Sequence, residues 1–141
     1  MDIRLFGPDH TAVLLAVEPG LFDHAVDPDQ ARVFLQSPLT EIALAFDGAC
    51  AVAFASGTVL LHPDKPPSMF VNEVGTRESH QRRGYGRAVL GALIGRARAR
   101  GCQGVWLGTD PDNAAALALY RRLGGDERSF TGFGWDGAFD P

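Results

Sequence analysis

The sequence predicts an α/β protein with a mixed, largely antiparallel sheet and helices on both faces. Two apolar runs, Glu41–Phe46 and Cys50–Leu61, flank Asp47-Gly48, which is a strong signal for a β-hairpin. A strand-like run, Met69–Thr76, is followed by a glycine-rich turn and a helix-like run, and a further strand pattern comes after them. This second succession is typical of a βαβ crossover. Antiparallel hairpins therefore precede a parallel pair in one sheet.

The first third of the chain predicts one strand and two helices. Ile3–Phe6 has the pattern of a short strand. Asp9 is the expected N-cap of a first helix over His10–Val17, which Pro19-Gly20 ends. Asp27 and Pro28 stand at the N-cap and first position of a second helix, which runs to Gln36 before Ser37-Pro38. Its apolar side chains fall on one face.

The remaining elements complete a β-α-α-β-β-β-α-β-α-β order. The segment from His62 to Pro67 contains three prolines and is excluded from regular structure. We expect a helix over Gly86–Arg100, a strand over Val105–Gly108, a helix over Asn113–Leu123 and a last strand over Ser129–Trp135. With no repeat and no linker, residues 1–141 are predicted to form a single domain with a loose tail from Asp136.

Composition narrows the function classes. The chain has 141 residues, of which 45% are hydrophobic, and a net charge of −4. These values favour a globular domain and disfavour general nucleic-acid binding, whereas an acidic surface suits a cationic substrate. Cys50 and Cys102 lack metal-type spacing and are predicted to be free thiols in a reducing compartment. No signal peptide or membrane-length apolar run is recognised, so we expect a cytoplasmic location.

The most informative motif is the glycine-rich turn from Gln81 to Arg87. Glycines at positions 84 and 86 permit a tight turn at a helix start, where several backbone N–H groups point at one place. Three arginines lie at this same helix start, although cations are unfavourable to the helix dipole there. A bound phosphate or pyrophosphate would explain both features. The turn lacks the residues of a P-loop or a dinucleotide fingerprint, and a simple strand-to-helix connection remains the alternative.

A second motif lies on the last predicted helix. Asn113 opens that helix, and Tyr120 follows seven residues later on the same face, about 10 Å along the axis. An amide and a phenol so placed could line one elongated ligand. In the alternative interpretation, Asn113 only caps the helix and Tyr120 is a half-buried aromatic residue.

Taken together, Gln-x-x-Gly-x-Gly after a strand and Asn-x-x-Ala-x-x-x-Tyr on the next helix resemble the GCN5-related N-acetyltransferase (GNAT) superfamily. The resemblance covers nearly the whole chain and implies that acetyl-CoA is the co-substrate, bound where two central strands splay apart. It further implies that the end of the central strand pairs with the pantetheine arm and that the turn binds the pyrophosphate. The implied cofactor-binding residues are Val74, Gly75, Thr76, Gln81, Arg82, Arg83, Gly84, Tyr85, Gly86, Arg87 and Asn113.

The resemblance also implies direct acetyl transfer to a primary amine in a ternary complex. Glu73 is the candidate base, acting directly or through water, and Tyr120 is the candidate acid for the CoA thiolate. Glu73 could instead form a structural ion pair or only bind the substrate. On an ideal strand the Asn72 and Glu73 side chains point to opposite faces of the sheet. In the family this strand commonly carries a bulge, so the sequence does not assign either side chain to a face.

The acceptor is less well defined by the sequence. The run from Val59 through the proline segment to Glu73 resembles the type I aminoglycoside 3-N-acetyltransferases, which implies an aminoglycoside acceptor and antibiotic resistance. Acidic side chains could bind such a polycation, with Glu73, Asp110 and Asp136 as the candidates. The alternatives are another small amine, an amino acid, a protein amine, or a non-catalytic CoA-binding sensor. We expect no metal, because the histidines lack ligand spacing, and a homodimer in which Phe130, Phe133 and Trp135 lie in the core or at the interface.

Overall fold

A computed structural model describes residues 1–140. The strands are β1 (Asp2–Phe6), β2 (Thr40–Asp47), β3 (Cys50–Leu60), β4 (Ser68–Thr76) and β5 (Val105–Trp106). The helices are α1 (Thr11–Leu15), α2 (Pro28–Gln36), α3 (Tyr85–Ala99) and α4 (Ala114–Arg122), with 3-10 turns at Pro8–His10 and Glu78–His80. The described strands form one five-stranded sheet in the order β1-β2-β3-β4-β5. Neighbours are antiparallel except β4 and β5, which are parallel. The predicted mixed, largely antiparallel sheet is confirmed.

Two apolar cores, one on each face of the sheet, hold the helices in place. On one face α3 buries Val89, Leu90 and Leu93 against β2, β3 and β4. On the other face α1 and α2 bury Leu14, Ala31 and Leu35 against β2 and β3. Strands in the middle of the sheet are therefore buried on both sides, which explains the continuous apolar runs in their sequence.

Local sequence signals account for most element ends. The Asp27 carboxylate accepts from the N–H groups of Asp29 and Gln30, each at 2.9 Å, and Pro28 follows it as predicted for the start of α2. Gly48 has a φ of 61° in the hairpin between β2 and β3, which confirms the turn at Asp47-Gly48.

The first helix is shorter than predicted. It covers Thr11–Leu15 and not His10–Val17, and its N-cap is His10 because Asp9 lies inside the preceding 3-10 turn. The strand expected over Val105–Gly108 also stops early, at Trp106, since β5 moves away from β4 beyond that residue.

The last predicted strand is wrong. Within the described residues, Ser129–Trp135 takes no strand conformation and pairs with no other strand. Phe130, Phe133 and Trp135 are 68%, 76% and 76% exposed, so they do not belong to the core of this chain. Gly132 and Gly134 interrupt the alternation, and glycine inside a strand weakens it because it offers no side chain to pack.

Candidate active site

The two parallel strands of the sheet separate and leave a cleft. They pair only at Met69 with Val105 and at Phe70 with Trp106. Beyond Phe70 the edge of β4 that faces β5 has no strand partner within residues 1–140, while its other edge stays paired to β3 as far as Thr76. A cavity of about 250 Å³ lies in this cleft. Its walls include Val74 and Gly75 of β4, the segment after β5, and α4. The predicted separation of two adjacent strands is confirmed, but β5 is the edge strand of the described sheet and not a central one.

A β-bulge directs two polar side chains of β4 to the cleft. Ser56 pairs with Glu73 and Gly57 pairs with Val71, so Asn72 between them has no backbone register partner on β3. The Asn72 amide instead bonds the Thr58 hydroxyl, with an Nδ2 to Oγ1 distance of 3.0 Å. Because the extra residue breaks the alternation, Val71 and Val74 both pack into the core on the α3 face, and Asn72 and Glu73 lie on the opposite face, where both line the cavity. The Asn72 and Glu73 side chains therefore share one face of the sheet, which the sequence alone did not establish.

Glu73 lies where the cleft meets a second, larger cavity. That cavity measures about 560 Å³ and lies between α2, the segment from Phe22 to Asp27, and the sheet. Glu73 and Asp23 are lining residues of both cavities. Burial, and after it the neighbouring Asp23 carboxylate, raise the pKa of Glu73 above its ordinary value, and His24 opposes this in part. A carboxylate with a raised pKa holds a proton more tightly, as a general base requires.

Tyr120 projects from α4 into the wall of the cleft. Its side chain is half-buried, and burial raises the pKa of its hydroxyl above the ordinary value. The hydroxyl is therefore protonated at neutral pH and can donate a proton. Asn113 lines the same cavity and also caps α4, since its Oδ1 accepts from the Ala116 N–H at 3.1 Å. The capping interpretation of Asn113 is thus correct without excluding contact with a ligand.

The glycine-rich turn presents unpaired donors at the start of α3. Arg82 and Gly84 have φ values of 59° and 85°, so the backbone takes the left-handed region twice within three residues. In the described part of the chain, the first N–H after Gln81 that donates to the backbone is that of Ala88, to the Gly84 carbonyl at 3.1 Å. At Gly86 an added Cβ would lie 3.3 Å from Leu119 Cδ2, so this position brings α3 close to α4.

Within residues 1–140, the arginines of this turn have no carboxylate partners. Among residues 1–140 the ion pairs involve other side chains, and the guanidinium groups of Arg82, Arg83 and Arg87 are in none of them. A helix start with free N–H donors and three unpaired cations attracts a polyanion. The geometry suits the pyrophosphate expected there from the sequence.

Two side chains beside the cleft, those of Arg77 and His80, form hydrogen bonds to segments that are distant in sequence. Arg77, directly after β4, donates to the carbonyl oxygens of Ala51, Pro19 and Glu18 at 2.7, 2.9 and 2.8 Å. These bonds fix the N-terminal end of the segment that carries Asp23. Beside the glycine-rich turn, His80 Nε2 lies 2.9 Å from Asp47 Oδ2, which ties the turn to the hairpin of β2 and β3.

The structure does not gather all the predicted acidic residues. Asp110 and Asp136 are exposed and line neither cavity, so their role in substrate binding stays a prediction. Asp23, in contrast, was missed by the sequence interpretation. It lies in an irregular segment without periodicity or motif, and only the packing of that segment brings it to Glu73.

No group of three or more metal-ligating side chains that could hold an ion is found among residues 1–140. In that same range no helix has the length and apolar character needed to span a bilayer.

Curated relatives with similar sequences are acetyltransferases. A mycothiol acetyltransferase of Paenarthrobacter aurescens (strain TC1) is 30% identical over 135 residues, which is 88% of this chain and 42% of that protein. The [ribosomal protein bS18]-alanine N-acetyltransferase of Escherichia coli (strain K12) is 48% identical over 48 residues, which is 34% of this chain and 32% of that protein. The chain therefore matches less than half the length of these relatives.

Solved structures share the fold. An aminoglycoside acetyltransferase from an uncultured soil metagenomic sample aligns with a TM-score of 0.82 at 20% identity, covering 96% of this chain and 97% of that chain. The acetyltransferase AAC(6')-Iy, in complex with the bisubstrate analogue CoA-S-monomethyl-acetylneamine, aligns with a TM-score of 0.79, also at 20% identity and with the same coverage of each chain. At this identity the likeness concerns the fold. The sequence pattern of the acetyltransferase (GNAT) family matches residues 10–125, and this chain belongs to that family.

Proposed function

We propose that this protein transfers an acetyl group from acetyl-CoA to a primary amine by direct attack in a ternary complex. The observation that carries the proposal is the position of Glu73 at the junction of two cavities. One cavity, between β4 and β5, also holds the Tyr120 side chain, while the other opens between α2 and the sheet. A base at such a junction can serve an amine entering from one side and a thioester entering from the other.

The acetyl-CoA site is assigned to the cleft and the glycine-rich turn. Backbone N–H groups from Arg82 to Arg87 would bind the pyrophosphate, with the three arginines adding positive charge. The unpaired edge of β4 at Val74–Thr76 would bond the pantetheine amides as an added strand does. Gln81 and Asn113 would complete the site. These assignments follow the family resemblance and the unpaired backbone groups.

The proposed reaction needs two proton transfers and no covalent enzyme intermediate. The amine nitrogen attacks the thioester carbonyl carbon, and Glu73 accepts a proton from that nitrogen, directly or through water. The carbon–sulfur bond then breaks and the electron pair leaves with sulfur. Tyr120 donates its proton to the departing thiolate. The raised pKa of Glu73 supports the first role, and the protonated hydroxyl of Tyr120 supports the second.

The proposed reaction does not by itself specify which amine accepts the acetyl group. Solved structures named aminoglycoside acetyltransferases share the fold, which supports an aminoglycoside as a candidate acceptor. Modification at its 3-amino group follows from the sequence resemblance alone. The curated relatives are named mycothiol acetyltransferase and [ribosomal protein bS18]-alanine N-acetyltransferase, so another small amine or a protein N-terminus is the alternative. A sensor without catalysis would need neither Glu73 nor Tyr120 at its cleft.

Location and assembly belong to the proposal as well. Cys50 and Cys102 are free, which supports a reducing compartment such as the cytoplasm. Exposed aromatic side chains of the C-terminal segment, including Phe133 and Phe139, support a homodimer. Light scattering of the purified chain tests the dimer, and a monomeric mass at high concentration would contradict it.

Release of CoA with a panel of amines tests the proposed function. Aminoglycosides, polyamines, arylalkylamines, amino acids and short peptides are each mixed with acetyl-CoA and the protein. We expect turnover with at least one class and a loss of about 100-fold or more in Glu73→Gln, with the affinity for acetyl-CoA retained. Tight acetyl-CoA binding without turnover on any amine would favour the sensor.

A further inference from the structure

The side chains that line the second cavity indicate which class of amine it can accept. We call it the acceptor cavity; it is the space of about 560 Å³ bounded by α2, the Phe22–Asp27 segment and the sheet. Its size is within the range of sites for small organic ligands, about 300 to 1,000 Å³. Most of its wall is apolar, with contributions from Leu14, Phe22, Val26, Val33, Phe34 and Ile42.

The polar side chains of this cavity are unevenly distributed. Asp23 and Glu73 lie at the end that it shares with the cleft. Elsewhere on the wall, the Asp27 Oδ1 already accepts two N–H groups of α2. Ser37 Oγ accepts from the Leu39 N–H at 3.2 Å, and the Thr40 hydroxyl donates to the Phe34 carbonyl. Three further lining side chains have no side-chain hydrogen bond among residues 1–140: His24 and Ser56, which adjoin Glu73, and Gln30 on α2. Away from the Asp23 and Glu73 end, few groups are therefore left to bond the hydroxyls of a sugar.

This distribution matches a ligand with one charged end and an apolar body. An ammonium group placed at Asp23 and Glu73 would have its charge balanced there, and after loss of one proton to water the free amine would lie close to the thioester. The remainder of the ligand would lie against the apolar wall, where removal from water favours binding of carbon and disfavours hydroxyl or further ammonium groups. A polycationic sugar would leave several of its polar groups unpaired.

We propose that the acceptor is a primary amine on an apolar arm, an arylalkylamine or a branched alkylamine. The inference rests on the proposed function, because it uses Glu73 as the group that accepts the proton. Asp23 is a positioning residue in this arrangement: it attracts the ammonium form and keeps the amine beside Glu73. The Phe22 and Phe34 side chains contact the arm.

The first experiment compares amines of matched reactivity. CoA release is measured with phenethylamine and isoamylamine on one side and with ethanolamine, spermidine and kanamycin on the other. We expect kcat/KM to be at least about tenfold higher for the apolar pair, because each buried methylene contributes to discrimination. Equal values, or preference for kanamycin or spermidine, would overturn the inference and leave the proposed acetyl transfer intact.

A substitution at the rim of the acceptor cavity, with a matched control elsewhere, tests the assignment of this cavity. Val33 lines the acceptor cavity and is 67% exposed, so Val33→Asp adds a charge without disturbing the core. Leu61 is also 67% exposed but lies outside both cavities, and Leu61→Asp is the matched control. We expect KM for phenethylamine to rise about fivefold or more in Val33→Asp, with kcat little changed and with Leu61→Asp like wild type. Equal KM values for the two variants would refute the assignment.

Binding of phenethylamine by calorimetry separates the two levels of failure. Saturable binding to wild type in the presence of CoA, weakened in Val33→Asp but not in Leu61→Asp, would support the cavity assignment even if no amine is acetylated; in that event only the proposed reaction fails. Absence of both binding and turnover with the apolar amines would overturn the inference. The Asp23→Asn variant adds a pH readout, since Asp23, His24, Asp27 and Tyr120 are the described ionisable side chains that share a cavity with Glu73. Loss of the Asp23 charge should move the acidic limb of kcat/KM to lower pH, and an unmoved limb would assign Asp23 a purely structural role.

Discussion

Removal of a single oxygen atom from Tyr120 should separate catalysis from folding. The Tyr120→Phe change leaves the half-buried ring in the wall of the cleft and deletes only its hydroxyl. Burial alone accounts for the raised pKa of that hydroxyl, and no hydrogen bond to it is found among residues 1–140. The free energy of unfolding should therefore change by less than about 0.5 kcal/mol.

The loss in rate should be far larger than the loss in stability. A positioned general acid contributes about 10²- to 10⁴-fold. At about 1.36 kcal/mol per factor of ten, this corresponds to about 2.7 to 5.4 kcal/mol of transition-state stabilisation. Because the pKa of Tyr120 is raised, the whole enzyme population carries the proton at neutral and mildly alkaline pH, and the deficit should be constant over that range.

Three measurements on the same preparation decide the prediction. CoA release at saturating amine gives kcat, calorimetry gives the Kd of acetyl-CoA, and thermal melting gives Tm. Cys50 is exposed, so a thiol-reactive dye requires a blank with protein alone. Trp106→Phe, an aromatic change on the neighbouring strand outside both cavities, is the control and should retain wild-type kcat.

A kcat within threefold of wild type in a normally folded Tyr120→Phe protein would show that Tyr120 is not the general acid. Water would then protonate the departing thiolate, and Tyr120 would be a wall residue only. A large rise in the Kd of acetyl-CoA with unchanged kcat would also contradict the assignment, because it would show that the hydroxyl contributes to binding and not to proton transfer.

Three further predictions concern stability and acetyl-CoA binding. Glu73→Gln should raise Tm near pH 7 but not near pH 4. Because folding raises the pKa of Glu73, the folded state loses stability as the pH rises from the ordinary pKa of 4.5 through the pKa of the folded state. The amide of Gln removes this loss. Equal Tm changes at both pH values would contradict this. Gly75→Ala should destabilise the fold by about 1 to 3 kcal/mol in urea unfolding, because the added Cβ would lie 2.7 Å from Phe54 Cε1; a change below about 0.5 kcal/mol would argue against it. Asp47→Asn should weaken acetyl-CoA binding about two- to tenfold by loosening His80 and the turn beside it, and an unaltered Kd in calorimetry would show that this bond does not position the turn.

Signals that act within a few residues were reliable in this sequence. Asp27-Pro28, Asp47-Gly48 and Asn113 each define a turn or a helix end through bonds to their own neighbours, and the structure has each one at its predicted place. The glycine-rich turn belongs to the same group, because its conformation depends on its own φ angles.

Features that depend on distant partners were not predictable to the same degree. Ser129–Trp135 alternates like a strand, but a strand also needs a neighbour with free edge groups, and that requirement is invisible in a local pattern. The bulge at Asn72 depends on how β3 and β4 align, so the facing of Glu73 could be stated only from the fold. Asp23 reaches Glu73 across about 50 intervening residues, through packing of an irregular segment with no periodicity.

The anchoring of residues 18–20 by Arg77 has a consequence for how the acceptor preference can change. That anchor fixes one end of the segment carrying Asp23, and the Asp27 cap of α2 fixes the other. Gly20, with a φ of 103°, turns the chain where an added Cβ would lie 3.2 Å from the Arg77 guanidinium. Residues 21–26 are thus a short insert between two fixed points. Sequence exchange within residues 21–26 should therefore change the acceptor while the proposed acetyl-CoA site stays the same, which makes this segment a suitable target for directed evolution.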